Sequence, residues 1–407
     1  MMNILFLGRF YPKKILETIS QDTDGKVGFS NHNFEKSLIA GFSSNDDVNL
    51  RVVTSPMVFS FPHNNKKAII KKEQYIENGI TIRSTGFFNL AFVNTLSSIF
   101  SLVRVLCSEL KKYEGNVVNV VVNTPNIIHS IALEIACKFV GKKINKVLII
   151  PDVPECITRM DNKKGVKSRI VSVLNRFTAY LSKQYDKYVF LTDAMNDFYN
   201  VPKSDYIVME GLIDKNKKIS ENSIQSDKEI ILYAGTLRRI FGVMNLIEVF
   251  TKGNFDNTEL WICGSGECAE EIEKIAAQSK CIKFFGLVDS SEAIRLQSIA
   301  TILANPRSSA GEYTKYSFPS KTIEYLLAGK TVIMNRLPGI PKEYDQYLNY
   351  PESEDTDSWI NKINDILKMD KSERNKKNQS GRDYILSNKT ANIQCKRIIN
   401  LFSGINL

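Results

Sequence analysis

The sequence contains no Cys-x-x-Cys pair, and its seven cysteines are an odd number scattered along the chain. Disulfide frameworks and structural zinc sites need paired or clustered cysteines, so the sequence argues against both. We therefore expect reduced thiols in a cytoplasmic protein. The three histidines, His32, His63 and His129, are too far apart in the sequence to predict a metal centre.

Long hydrophobic runs are also missing. The apolar run at residues 4–7 is followed almost at once by Arg9, so it is too short for the core of a signal peptide. The most apolar long stretch, residues 86–107, is interrupted by asparagines, serines and Arg104. We expect a protein that is soluble or attached to a membrane surface, not an integral one.

The composition is that of a globular protein with a basic balance. The chain has 407 residues, 43% of them hydrophobic and 24% charged, which excludes wholesale disorder, a collagen-like repeat and a coiled-coil rod. This length predicts two or three domains. The 54 basic residues exceed the 44 acidic ones, giving a formal net charge of +10. Such a balance favours an anionic partner: nucleic acid, a phosphorylated substrate or an acidic membrane.

Strand-like and helix-like segments alternate along most of the chain. Residues 117–122 are all valine except Asn119, as expected of a strand buried on both faces. Apolar residues recur every three or four positions from Phe92 to Leu110, which predicts a helix. A polar stretch at 214–228 is interpreted as a linker. The pattern predicts an α/β fold of two Rossmann-like, doubly wound parallel sheets facing a cleft.

Glycines follow two predicted strands of the second half. Gly235 is followed by Arg238 and Arg239, and the next strand ends in Gly264 and Gly266. Glycine at such a turn lets backbone amides approach a phosphate, and neighbouring arginines can neutralise a diphosphate. The alternative is a pair of tight turns with solvated arginines, because the complete dinucleotide-binding motif is absent.

The segment 305–340 is the densest in polar and charged side chains. A helix is predicted to begin at Ser320, because a proline precedes it. Ser317 and Lys321 can bind phosphate oxygens, and Glu324 can accept hydrogen bonds from ribose hydroxyls. In the alternative interpretation, Glu324 only stabilises the positive end of the helix.

These blocks resemble retaining glycosyltransferases of family 4, which are group 1 glycosyltransferases with the two-Rossmann (GT-B) fold. The resemblance rests, in order, on LYAGTLRRIFGVMNLIEVF, LWICGSGE, IKFFGLVD, TILANPR and SFPSKTIEYLLAGKTVI. It implies an enzyme of hexosyltransferase type that moves a sugar from a nucleotide-diphosphate sugar to a hydroxyl of a sugar or lipid-linked glycan. It further implies retention at the anomeric carbon, no cofactor beyond the donor and no metal. The expected setting is biosynthesis of a glycolipid or a cell-surface polysaccharide such as a capsule.

The resemblance also divides the chain. It implies an acceptor domain at 1–213, the linker at 214–228 and a nucleotide-sugar donor domain at 229–385. The last segment, 386–407, is expected to be a helix that packs back on the N-terminal domain.

By the resemblance, Glu324 is the second of two family glutamates and holds the ribose. The first falls at Tyr316, so the sequence departs from the pattern here, and Glu312 is an off-register catalytic candidate. A family arginine and a family lysine are replaced by Thr236 and Phe241. Their charge is expected to come from Arg238 and Arg239.

Two rival functions stay open at this stage. One is a nucleotide-sugar epimerase on the same fold. The other is a non-catalytic partner subunit, which the tyrosine at the first glutamate position motivates.

Three residues of the first half are candidate ligands of the donor phosphate or the acceptor. Gly28 and His32 belong to a loop after the first strand, and His129 follows a later strand end. His129 is a candidate base or sugar-hydroxyl ligand, and His32 a second catalytic candidate. The alternatives are a polar surface residue for His32 and a packed helix residue for His129.

A basic helix is predicted at 166–182, and no acidic residue occurs from 162 to 183. Such a helix can lie on an anionic bilayer, or it can bury its apolar face in the core. Nucleic-acid binding is not expected, because no recognition motif is present. The basic residues on or beside the helix are Lys163, Lys164, Lys167, Arg169, Arg176 and Lys183.

Two Asp-x-Asp strings, at 22–24 and 355–357, are not interpreted as metal sites. The first lies in a glycine-containing loop. In the second, Asp357 is expected to cap the N-terminus of a helix at 358–367.

Overall fold

The computed structural model describes residues 1–13, 15–16, 29–59, 61–62, 65–90, 93–153, 166–214 and 226–404, without the side chains of 29–30, 166–168 and 170. Contacts between Cα atoms divide the chain into two compact units. The first unit comprises Met1–Asp214 and Ala391–Leu407, and the second comprises Lys215–Thr390. Both units are α/β structures.

The first unit is built on an eight-stranded sheet. The described strands of this unit are β1 (Met2–Gly8), β2 (Val48–Thr54), β3 (Ile69–Ile70), β4 (Glu73–Glu77), β5 (Ile80–Ser84), β6 (Phe87–Phe88), β7 (Val117–Asn123), β8 (Lys143–Ile150), β9 (Lys187–Phe190) and β10 (Tyr206–Val208), and eight of them form the large sheet. The sheet order is β10-β9-β8-β7-β1-β2-β5-β4, and β3 pairs with β6 separately. All neighbours in the large sheet are parallel except β4 and β5. The valine-rich β7 is buried at every position after its first.

Helices cover this sheet. They are α1 (Phe29–Ser43), α2 (Val93–Lys111), α3 (Ile127–Val140), α4 (Val166–Ser182) and the short α5 (Asn196–Tyr199). Leu38 and Phe42 of α1 share a core cluster with Ile4 and Phe6 of β1. The α2 helix contacts α3 and β2. This arrangement places the ends of β1 and β7 at one edge of the sheet, beside the start of α3.

The second unit has six parallel strands in the order β13-β12-β11-β14-β15-β16. They are β11 (Glu229–Ala234), β12 (Thr258–Cys263), β13 (Ile282–Phe284), β14 (Ile302–Asn305), β15 (Thr331–Met334) and β16 (Leu348–Asn349). The helices are α6 (Val243–Gly253), α7 (Ala269–Gln278), α8 (Ser290–Ile299), α9 (Ser320–Leu327), α10 (Thr356–Lys368) and α11 (Lys371–Asn388). Ile231 of β11 shares a core with α6 and α10, and Ala234 bonds to α9 on the opposite face. The predicted doubly wound sheet is confirmed.

The last helix of the chain, α12 (Ala391–Ser403), packs on α1. The two helices approach most closely at Gly41, where a Cβ atom would overlap the carbonyl oxygen of Ala391 and lie 2.7 Å from the Cys395 sulfur. Cys395 and Ile398 are fully buried in the same core cluster as Leu38. The C-terminal segment therefore completes the first unit.

Two helices differ from the sequence expectations. Asp355, not Asp357, caps α10, since its Oδ1 accepts a hydrogen bond from the Ser358 N–H at 2.8 Å. The prediction for Asp357 is therefore wrong by two residues. The α11 helix was not predicted, because its sequence KSERNKKNQSGRDYILSN offers little apolar periodicity.

Among the described residues, one helix, α2, has the length and composition needed to span a membrane. Core helices of soluble proteins can meet the same description. Leu102, Val105, Leu106 and Leu110 of α2 have no exposed surface. The helix thus contributes one face to the core of the first unit.

Candidate functional site

The turn after β11 packs directly against the turn after β12. The Gly235 N–H donates to the carbonyl oxygen of Cys263 at 3.0 Å. Gly264 (φ 141°) and Gly266 (φ 155°) adopt positive φ angles that side chains disfavour. A Cβ atom at Gly264 would overlap the carbonyl oxygen of Gly235, and one at Gly266 would lie 2.5 Å from that of Leu237. Gly264 and Gly266 therefore allow the two turns to touch, which supports the tight-turn interpretation for this pair.

Two buried tyrosines fix the end of β11. The Tyr325 hydroxyl accepts a hydrogen bond from the Ala234 N–H at 3.1 Å and donates to the Ala234 carbonyl at 3.2 Å. The Tyr233 hydroxyl donates to the carbonyl of Thr236 at 2.8 Å. Burial raises the pKa of both phenols, so they remain neutral hydrogen-bond donors. The turn that begins at Gly235 is thus held by side chains as well as backbone.

Lys321 and Glu324 lie beside this turn, on the first turns of α9. The Lys321 ammonium is 2.8 Å from Glu324 Oε2, and each side chain is about one-third exposed, at 34% and 35%. Burial raises the pKa of the Cys263 thiol to about 11, and the Lys321 charge opposes that rise. Lys321 therefore faces the carboxyl ends of β11 and β12. The structure brings Gly235, Lys321 and Glu324 to one edge of the sheet.

Two arginines meet at one aromatic ring next to this edge. The guanidinium carbons of Arg238 and Arg307 lie 5.7 Å and 5.6 Å from the centroid of Phe241. Arg307 also lies 5.0 Å from the centroid of Tyr313, and its Nη1 is 3.4 Å from the Ser317 hydroxyl. Its buried Nε has no hydrogen-bond partner among the described residues. Cation–π contacts of this kind hold arginines in place while leaving N–H groups available.

Arg239 has a different environment from Arg238. Its guanidinium forms an ion pair with Glu271 of α7, and the Arg239 backbone N–H donates to Glu267 Oε1 at 3.0 Å. The charge of Arg239 is therefore already compensated within the second unit. Arg307 lies in the dense segment 305–340, but no role was predicted for it from the sequence. The structure brings Arg307 to Phe241, a contact between residues far apart in the sequence.

The two residues tied to the first family glutamate lie on a 3₁₀ turn, Glu312–Tyr316. Tyr316 is buried, and the ammonium of Lys315 lies 5.3 Å from its ring centroid. Glu312 is exposed at the start of the turn. Tyr316 is therefore buried, whereas Glu312 is exposed to solvent. The catalytic role of Glu312 stays a prediction.

Both described histidines of the site prediction are buried in the first unit. His32 Nδ1 accepts a hydrogen bond from the Tyr11 N–H at 3.2 Å. Burial lowers the pKa of His32 to about 4 and that of His129 to about 3. The surface interpretation of His32 is therefore wrong, and both imidazoles are neutral at pH 7. Gly28 and the Asp-x-Asp string at 22–24 lie outside the described residues.

A buried glutamate that the sequence analysis missed links β1 to β7. Glu35 Oε2 accepts hydrogen bonds from the backbone N–H groups of Arg9 and Phe10, both at 2.7 Å. Its Oε1 accepts from the Asn123 side-chain amide at 2.8 Å. Burial raises the pKa of Glu35, and these three donors oppose that rise. The sequence does carry one sign of this burial, because Glu35 lies three positions before Leu38 and therefore on the same face of α1.

The α4 helix presents apolar side chains to solvent. Val173, Leu174 and Phe177 are exposed to 64%, 47% and 44%. These residues belong to the face that could have packed in the core, so that alternative is wrong for them. Arg169 and Arg176 are exposed on the same helix. Lys163 and Lys164 lie outside the described residues, as does the side chain of Lys167.

Metal-binding groups of three or more His, Cys, Asp or Glu side chains do not occur among the described residues. The six described cysteines are all free thiols.

Part of the chain matches a known protein family. Residues 214–383 match the family model described as glycosyl transferases group 1. The match covers most of the second unit and less than half of the chain. No curated protein sequence matches the chain significantly. The predicted resemblance to group 1 glycosyltransferases is thereby confirmed.

Solved structures resemble this chain over its whole length. HepE of Anabaena, crystallised with UDP-glucose, is 14% identical, with 100% of both chains covered and a TM-score of 0.61. WaaG, a glycosyltransferase involved in lipopolysaccharide biosynthesis, is 15% identical, with 99% of this chain and 100% of that one covered and a TM-score of 0.59. Trehalose-6-phosphate synthase OtsA is 10% identical, with 99% of each chain covered and a TM-score of 0.66. The likeness shows the fold, so the predicted GT-B fold is confirmed.

Proposed function

We propose that this glycosyltransferase moves a sugar from a nucleotide-diphosphate sugar to a hydroxyl group of a sugar or lipid-linked glycan. The observation that carries the proposal is the group 1 domain in which Gly235, Lys321 and Glu324 meet at the carboxyl ends of parallel strands. Open α/β sheets bind their ligands at this edge. HepE, which shares the fold, was crystallised with UDP-glucose, and this supports a nucleotide-sugar donor.

Glu324 is proposed to accept hydrogen bonds from the ribose hydroxyls. Its carboxylate pairs with Lys321, so donor binding would share or replace that ion pair. Lys321 would then turn its positive charge toward the diphosphate. Lys321 and Glu324 can exchange their ion pair for contacts with the donor at low cost, because partly exposed ion pairs stabilise a protein by only about 0–1 kcal/mol.

The diphosphate is proposed to bind Arg238, Arg307 and Lys321. Arg238 and Arg307 flank Phe241, and neither forms an ion pair with a carboxylate among the described residues. Arginine suits this role because its fork of N–H groups matches phosphate oxygens. Arg239, which pairs with Glu271, is proposed to contribute less.

Retention and metal independence are further parts of the proposal, in line with family 4. The bond between the anomeric carbon and the diphosphate oxygen breaks as the glycosidic bond to the acceptor oxygen forms on the same face. The acceptor proton passes to a phosphate oxygen of the leaving group. Positive side chains around the diphosphate would stabilise the charge that develops there, which is usually the largest electrostatic contribution of an enzyme.

We also propose that the enzyme works at the cytoplasmic face of a membrane, in polysaccharide or glycolipid biosynthesis. The exposed apolar residues and arginines of α4 support this location. On α2, Leu96 and Phe100 are exposed to 71% and 65%. Apolar side chains beside basic ones are typical of surfaces that bind anionic lipid reversibly.

The donor site is tested by thermal shift with nucleoside diphosphates and nucleotide sugars, because a ligand that binds the native state raises its stability. Glu324→Ala should weaken donor binding by about 1–3 kcal/mol. Glu270→Ala, at an exposed position of α7, is the matched control. Unchanged donor affinity in folded Glu324→Ala would refute the ribose assignment.

Product analysis then separates the rival functions. A glycosylated acceptor with unchanged anomeric configuration supports the proposal. An epimerised nucleotide sugar formed without acceptor would indicate an epimerase. Failure of the wild type to bind any nucleotide or turn over any donor would indicate a non-catalytic partner subunit.

A further inference from the structure

A cavity of about 80 Å³ lies at the carboxyl edge of the first sheet. Residues from the turn after β1, the loop after β2, α2 and the start of α3 line it. Whole-ligand pockets usually occupy ~300 Å³ or more, so this cavity fits one small group of a ligand. The polar residues that line it include Arg9, Ser55, Asn126 and His129.

Arg9 supplies the only charge among the residues that line this cavity. Burial lowers the pKa of its guanidinium, although arginine stays protonated at neutral pH. Its side chain makes no hydrogen bond or ion pair with the described residues. The nearby Glu35 carboxylate does not line the cavity, and its two oxygens accept bonds from Arg9 N–H, Phe10 N–H and Asn123. The cavity is therefore lined by one positive group and by no acid, and Glu35 lies close enough that its charge opposes the lowering of the Arg9 pKa by burial.

His129 provides an independent observation. The side chain is 1% exposed, and its Nδ1 is buried without a hydrogen-bond partner among the described residues. A buried polar atom of this kind is costly unless a ligand or water satisfies it. His129 belongs to the first turn of the 14-residue α3, where the backbone N–H groups add positive potential.

We propose that the cavity binds one anionic group, a phosphate or a carboxylate, carried by the acceptor. The guanidinium of Arg9 forms the charged contact, and His129 donates or accepts one hydrogen bond through Nδ1. The assignment to the acceptor rests on the proposed glycosyl transfer. Binding of an anion at this cavity does not, so the two parts can fail separately.

Anion binding is tested first, without donor or acceptor. The protein is titrated with inorganic phosphate and with acetate at constant ionic strength, chloride serving as the reference anion. Stabilisation is read from thermal unfolding. We expect Arg9→Gln to weaken binding of the responding anion on the order of tenfold or more, and Arg9→Lys to restore part of it. Arg104→Gln, on the surface contact with Phe100, is the matched control and should bind like wild type.

Two outcomes of the anion titrations would overturn the proposal. If neither anion stabilises the wild type more than chloride does, the cavity binds no anion. If Arg9→Gln, shown to be folded by circular dichroism, responds as strongly as wild type, the anion binds elsewhere. A His129→Gln variant gives a second readout, because its amide can replace Nε2 but not Nδ1, so the same titration should be weakened. An unchanged titration would exclude Nδ1 as a contact of the anion.

A panel of acceptors then identifies the source of the anion. Phosphorylated sugars, uronic acids and neutral sugars are compared at saturating donor. We expect Arg9→Gln to raise KM for one anionic class at least tenfold and to leave KM for neutral acceptors unchanged. Equal effects on charged and neutral acceptors would contradict the acceptor assignment. Donor binding that persists in Arg9→Gln shows that the nucleotide-sugar site is intact.

Discussion

The Tyr325 hydroxyl bonds to both backbone groups of Ala234, accepting from its N–H and donating to its carbonyl. Tyr325 belongs to α9, which also carries Lys321 and Glu324, and Ala234 is the last residue of β11. One phenol thus sets the position of the helix relative to the turn that begins at Gly235.

Tyr325→Phe should therefore lower both stability and donor affinity. The change removes a buried hydroxyl and leaves two backbone groups of Ala234 without that partner, which costs about 1–3 kcal/mol. Urea unfolding followed by circular dichroism measures the loss, and nucleotide titration measures the affinity. Tyr180→Phe, at an exposed position of α4, is the control. Wild-type stability in Tyr325→Phe would show that the bridge contributes nothing.

Replacing Arg238 and Arg307 together with alanine should weaken binding of a nucleoside diphosphate on the order of tenfold or more. Binding of the nucleoside alone should change little, because the arginines are proposed to contact phosphate. Arg239→Ala is the matched control, since its guanidinium pairs with Glu271 on the surface. Equal losses for nucleoside and diphosphate, measured by calorimetry, would point to a folding defect and contradict the assignment.

Glycosyl transfer should survive strong chelation, because cationic side chains are proposed to neutralise the leaving diphosphate. The measurement is the initial rate with and without excess chelator, after prior dialysis against it. A rate abolished by chelator and restored by manganese would contradict metal independence.

Stability should fall in acid through His129. Its folded pKa of about 3 lies below the unfolded value of roughly 6.5, so the unfolded chain binds the proton more readily. The stability from the neutral imidazole is present above pH 6.5 and is lost as the pH falls toward 3. At pH 5 the loss is about 2 kcal/mol relative to pH 7.

The test compares unfolding free energies at pH 7 and pH 5 for wild type and His129→Gln. The variant should show a smaller difference between the two pH values, whatever its absolute stability. An identical difference in both proteins would show that His129 does not carry this pH dependence.

The enzyme should sediment with anionic vesicles at low salt and be released by salt. Arg169→Glu with Arg176→Glu should reduce binding, because each basic residue near such a surface contributes about 1 kcal/mol. Phe177→Ser removes an apolar contact of α4, and Phe139→Ser, exposed on α3, is its control. Wild-type protein that stays in the supernatant would end the membrane proposal.

Much of the fold could be predicted because local signals agree with the tertiary structure. The α3 helix has both of its end signals in the local sequence: Asn126 caps its start, and Gly141 ends it in a left-handed conformation. The valines of β7 likewise match a strand buried on both faces.

The candidate site was less predictable, because its contacts join distant parts of the sequence. The partner of Arg239 is a glutamate on α7, and Arg307 reaches Phe241 from another strand end. Tyr325 gave no local sign that its hydroxyl would bond to β11. The interpretation of His32 as a surface residue was wrong because a polar side chain can be buried when the fold supplies a hydrogen-bond partner, here the Tyr11 N–H.

The helix α12 has a consequence for biosynthesis. Its contact surface on α1, centred on Gly41, is made early in translation, whereas Ala391 and Cys395 emerge near the end. At ~5–20 residues per second, the ribosome needs tens of seconds to add the intervening chain. During that time Leu38 and Phe42 of α1 are not yet covered by α12. The first unit to be synthesised is therefore the last to be finished, and a nascent chain stalled within the second unit would offer this apolar surface to chaperones.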